Sequence, residues 1–80
     1  MITAEARHET RARVLVCDDE PGVRFALVEV LTAAGHQVIE AASGAAAIAL
    51  LDASIDVVVT DLSMPGMGGM QVLAAARAAH

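Results

Sequence analysis

Two short apolar runs in this chain of 80 residues each end on carboxylates: Val14-Leu15-Val16-Cys17 runs into Asp18-Asp19-Glu20, and Val57-Val58-Val59-Thr60 runs into Asp61. Runs of this length and β-branching read as strands, and three consecutive valines imply burial on both faces, the condition of an interior strand in a parallel sheet. Two such strands ending side by side would gather Asp18, Asp19 and Asp61 at one sheet edge. A cluster of that kind suits a hard divalent cation, Mg²⁺ above all, and suits phosphate once the cation has offset the repulsion between the acids.

The segments around these runs alternate in kind. Arg13–Cys17 is the first strand, and Pro21 follows where a first helical turn tolerates it, with Glu20 at the helix mouth. Val23, Ala26, Leu27, Val30, Leu31 and Ala34 then fall at the spacing of one helix face, and Gly35 supplies the stop. Residues 37–42 read as a second strand. Ser43 is placed to cap an alanine-rich helix over residues 44–53, with Ala47, Ile48 and Leu51 as its buried stripe. Residues 56–60 form the third strand, residues 62–69 a loop too rich in Pro and Gly to be regular, and residues 70–79 a third helix.

Residues 1–12 mix charges without an apolar period and read as a flexible leader; residues 13–80 form a single domain. The resulting β-α-β-α-β-α order predicts an α/β fold with right-handed crossovers, a parallel sheet and helices on both faces. In a doubly wound order of 2-1-3 the first and third strands are neighbours, and the three aspartates meet at the switch point between them.

Composition narrows the function classes. The chain is 56% apolar but 1% aromatic, Phe25 being the sole ring, so the core has to be aliphatic. The net charge is -5, and the five basic residues are all arginine, which leaves no basic patch for nucleic acid. No apolar stretch approaches the roughly 18 residues that span a bilayer. The first residues are too charged for a signal peptide, and the lone Cys17 excludes an internal disulfide, so a cytoplasmic setting is expected. His8, His36 and His80 are scattered without zinc-ligand spacing.

Taken together, Asp18-Asp19-Glu20-Pro21 after the first strand and Asp61-Leu62-Ser63-Met64-Pro65-Gly66-Met67-Gly68-Gly69 after the third resemble the receiver domain of two-component response regulators, over residues 13–80. The resemblance implies a flavodoxin-like fold and a signalling module rather than an enzyme. It implies that Asp61 is the phosphoacceptor, attacking a phosphohistidine supplied by a histidine kinase or phosphotransfer protein. Asp19 then matches the acid that touches Mg²⁺ directly and Asp18 one that acts largely through water. Ser63 matches the position whose backbone carbonyl completes the metal site.

Receivers normally continue through two further strands and helices, which carry a phosphoryl-binding Ser or Thr and a Lys; this chain has no lysine. It is therefore expected to behave as a truncated receiver, with sheet order 2-1-3 and impaired phosphorylation. Its third strand would be a bare apolar edge through which the chain forms a homodimer or swapped oligomer. The competing expectation is a non-catalytic receiver-like module used for dimerisation or interaction. A metal-dependent hydrolase with Asp61 as nucleophile is disfavoured, because many such phosphatases carry a second Asp where Ser63 stands here.

Overall fold

The computed structural model describes residues 2–5, as backbone, and residues 11–79. Along the chain lie β1 (Ile2–Glu5), β2 (Arg13–Cys17), α1 (Pro21–Ala33), β3 (Gln37–Ala41), α2 (Gly44–Leu50), β4 (Val57–Thr60) and α3 (Gly69–Ala79). The strands form one sheet in the order β1-β4-β2-β3. Central β2 pairs in parallel with β3 and β4, so that Leu15 stands level with Ile39 on one side and Val58 on the other. This is the expected 2-1-3 arrangement of the three parallel strands, in the flavodoxin-like manner.

Strand alternation divides the core between the two faces. Leu15, Cys17 and Val58 pack with Ala47 of α2, Val72 and Ala76 of α3, and Ile55 and Met64 from the loops. Val14, Val16 and Val59 lie on the other face beneath Leu27 and Leu31 of α1.

Local signals set the helix ends. The Glu20 carboxylate accepts from the Gly22 and Val23 amides at 3.2 and 2.7 Å, and Ser43 Oγ accepts from the Ala46 amide at 3.1 Å. At the far end of α1, Gly35 adopts φ 95°, a left-handed conformation that stops the helix where the glycine predicted. The Val23 amide, then the Gly22 amide and the nearby Arg24 charge, pull the Glu20 carboxyl below its ordinary pKa. A depressed carboxyl stabilises the fold above the ordinary glutamate value of about 4.3, and that contribution is lost as pH falls through the folded-state value. Glu20→Gln should therefore remove part of the acid sensitivity below about pH 4.3 in thermal melts.

Four expectations are corrected. Part of the supposed flexible leader is a strand: β1 runs antiparallel to β4, with Ile2 level with Thr60 and Glu5 level with Val57. The rest of the leader up to residue 10 lies outside the described residues. It follows that the third parallel strand, β4, is not a bare edge, and the premise for dimerisation through it is not met.

The buried face of α1 is also rotated from the predicted stripe. Leu27 and Leu31 pack against the sheet and Val28 is half-buried, whereas Val23, Ala26 and Ala34 are exposed and Val30 is 67% exposed. The reason is that α1 packs across β2 and β3, so only a narrow stripe meets the sheet. Finally, α2 ends at Leu50 rather than 53. The Asp52 side chain accepts from the Ser54 amide at 2.8 Å and from its hydroxyl, and this local turn competes with helix continuation.

Candidate functional site

The ladder hydrogen bonds of the sheet run one step past the strands and bring the acids together. The Asp18 amide donates to the Ala41 carbonyl at 3.1 Å, and the Asp61 amide to the Cys17 carbonyl at 3.0 Å. The backbone of Asp61 is thereby fastened to the residue just before Asp18. Asp18, Asp19 and Asp61 each bring a carboxylate oxygen within 4.8 Å of the others. Asp18 is buried, Asp61 half-buried and Asp19 exposed. The cluster thus opens to solvent on the Asp19 side.

Two of the carboxylates are oriented by the chain that follows them. Asp18 Oδ1 accepts from the Glu20 amide at 2.9 Å, and Asp61 Oδ1 accepts from the Ser63 amide at 3.0 Å. Each bond joins an Asp to the residue two positions on, the local turn that aspartate favours. Both fix a side-chain torsion before any ligand arrives. Ser63, singled out from the sequence for its backbone carbonyl, is placed beside Asp61 through its amide.

Beneath the pocket, Cys17 Sγ lies 3.3 Å from the Ser43 carbonyl and 3.6 Å from Met64 Sδ. Burial pushes the thiol pKa up; a hydrogen bond with Thr60 acts against this, and the three aspartates add to it. Cys17 is accordingly an inert packing residue, and Met64 of the loop is likewise part of the core. Thr60 is buried and its hydroxyl donates to the Asp61 carbonyl at 3.0 Å.

Arg24 lies outside the predicted apolar face of α1 but does not simply solvate the helix. Instead its Nη1 donates to the Asp18 carbonyl at 2.8 Å and its Nε meets Glu40 Oε1 at 3.3 Å. Arg24 therefore ties α1, β3 and the acidic loop together. The available signal was its spacing: Arg24, Leu27, Val28 and Leu31 make their own i, i+3, i+4, i+7 series.

Gly69 is a second residue whose role depends on contact. A Cβ there would fall on the Asp61 carbonyl oxygen and lie 2.8 Å from Leu62 Cα, both main-chain atoms that cannot swing aside. Gly69→Ala is expected to force α3 away from the Asp61 turn and cost about 1–3 kcal/mol by the usual penalty for overpacking. Chemical denaturation would read this as a lower midpoint.

Three carboxylates this close repel one another in water and more strongly where partly buried. A small hard cation would offset that repulsion, and the donor set of carboxylate oxygens with adjacent main chain fits Mg²⁺. Among the described residues no helix is long and apolar enough to cross a membrane.

Comparisons with known proteins agree with this geometry. The family described as "Response regulator receiver domain" matches residues 14–80. The transcriptional regulatory protein KdpE of Mycobacterium tuberculosis is 48% identical over 65 residues, 80% of this chain and 29% of that protein. Protein PilH of Pseudomonas aeruginosa is 41% identical over 61 residues, 75% of this chain and 50% of that protein. The crystal structure of the receiver domain from the hybrid histidine kinase CckA superposes with a TM-score of 0.76 at 37% identity, covering 81% of this chain and 63% of that one. The chain thus spans no more than half the length of these two curated relatives.

Proposed function

Because the chain belongs to the receiver domains of two-component response regulators, we propose that its acidic crevice accepts a phosphoryl group on Asp61 with Mg²⁺ alongside. The observation that carries this reading is the convergence of Asp18, Asp19 and Asp61 within 4.8 Å at the ends of adjacent parallel strands. In this reading a carboxylate oxygen of Asp61 attacks the phosphorus of a phosphohistidine. The new O–P bond forms as the N–P bond breaks, and the imidazole nitrogen leaves with the electron pair. Asp19, the exposed acid, would hold the cation directly, and Asp18 through water, with the Ser63 carbonyl as a further ligand. Mg²⁺ would supply electrostatic stabilisation of the charge developing on the phosphoryl oxygens.

The donor in this reading is a histidine kinase or phosphotransfer protein, and the setting is the cytoplasm, where a reduced, buried Cys17 is at home. Receiver domains act as signalling modules, and the role proposed here is that of a phosphoacceptor rather than an enzyme. Transfer to the 80-residue chain is expected to be slow, since it contains no lysine to pair with the phosphoryl group and Arg24 is engaged by the Asp18 carbonyl and Glu40.

Incubation with acetyl phosphate and Mg²⁺ tests the reading. The expected product carries one phosphoryl group on the peptide containing Asp61, is cleaved by hydroxylamine as an acyl phosphate must be, and does not form when EDTA removes the metal. A chain that takes up no phosphoryl group after prolonged incubation would overturn it.

A further inference from the structure

We propose that β1 is an exchangeable edge cap, which keeps β4 from pairing with β4 of a second copy of this chain. This does not depend on the phosphoacceptor reading. The sequence of β4, Val57-Val58-Val59-Thr60, is that of an interior strand, and such a strand left at a sheet edge presents unpaired main-chain groups beside apolar side chains. In the structure all four residues of β4 are matched on one side by β2 or its continuation and on the other by β1.

The two neighbours hold β4 on different terms. β2 is central and flanked on both sides, whereas β1 is four residues long, terminal in the sheet, and among the described residues has β4 as its only strand neighbour. An element held by one ladder opens at lower free energy than the core does. When it opens, the β4 edge is exposed while the rest of the sheet stands.

The occupant that fits the bared edge is the same edge of a second copy. Antiparallel pairing of β4 with itself is self-complementary about a two-fold axis, closes without leaving a further apolar edge, and joins two three-stranded sheets into one of six. Opposed residues of an antiparallel pair share a face of the sheet, so in the register centred on Val58 that residue meets its own copy and Val57 meets Val59. Within one chain β1 already fills this edge, with Glu5 level with Val57 and Ile2 with Thr60. The short connection to β2 holds β1 at an effective concentration on the order of millimolar, above that of a second chain at micromolar concentration. The capped monomer is the ground state, and the dimer forms when the cap is lost.

The test compares the chain with Thr3→Pro/Ala4→Pro. Of two adjacent strand residues one directs its N–H toward the partner, so two consecutive prolines remove a ladder bond whichever it is. By light scattering at micromolar concentration the unaltered chain should be a monomer and the double variant should double in mass. By hydrogen exchange, all four amides of Val57–Thr60 should be protected in the unaltered chain. An unaltered chain that is already dimeric, or a folded double variant that stays monomeric, would overturn the proposal. Should the variant not fold, exchange in the unaltered monomer decides: protection of every β4 amide supports the cap, and protection only of alternate amides, those bonded to β2, overturns it.

Discussion

Asp61→Asn should take up no phosphoryl group under conditions that label the unaltered chain. An amide oxygen carries no full charge and is a far weaker nucleophile than a carboxylate, and no acyl phosphate can form on it. The geometry should survive, because an Asn Oδ1 can accept from the Ser63 amide as Asp61 Oδ1 does at 3.0 Å. Removing one of three mutually repelling charges should leave the metal-free chain at least as stable as before. The same change should weaken Mg²⁺ binding, so the rise in melting temperature on adding Mg²⁺ should shrink, as linkage between binding and folding requires. Mass spectrometry of the acetyl phosphate reaction and melts with and without Mg²⁺ together check both halves. Undiminished labelling of the Asn variant would place the phosphoryl group elsewhere and remove Asp61 from the role proposed for it.

Leu15→Ala should largely unfold the chain. Leu15 is 0% exposed, sits on the central strand, and is level with Ile39 on β3 and Val58 on β4. Truncating a leucine in such a position typically costs about 2–5 kcal/mol, through lost burial and the cavity left behind. Domains are stable by about 5–15 kcal/mol, and one this small, with an all-aliphatic core, belongs at the lower end. A loss of that size consumes most of the margin. Urea denaturation followed by circular dichroism should show a midpoint near zero denaturant. Val30→Ala, on the exposed side of α1, should change stability by no more than about 0.5 kcal/mol. A Leu15→Ala chain with an unchanged midpoint would mean that the packing around β2 is not the centre of the core.

The contrast between these two residues shows what could be read in advance. Leu15 and Val58 sit within apolar runs whose length and β-branching are local properties, so their burial followed from the pattern. Asp18, Asp19 and Asp61 follow those runs directly, whereas the strand order that unites them was expected only for a doubly wound arrangement and is seen in the pairing of β2 with β4. Val30 was misplaced because helical spacing gives the width of an apolar stripe but not which part of it meets the sheet. That depends on where α1 lies across β2 and β3. The role of Arg24 lies beyond local spacing for the same reason: its carbonyl partner at Asp18 is six residues away, and Glu40 is on β3.

By itself, then, the sequence determined the β-α-β-α-β-α order, the helix caps at Glu20 and Ser43, and the three aspartates at strand ends, because each depends on backbone preference or periodicity within a few residues. Only the tertiary structure decided that Arg24 braces the acidic loop, that Gly69 must let α3 pass the Asp61 carbonyl, and that Ile2–Glu5 lies along β4. Each of these joins segments whose approach is set by the packing of the whole sheet. The stretch Ile2–Glu5 is only four residues long, too short for its pattern to define a strand by itself, and it becomes one where the edge of β4 stands to receive it.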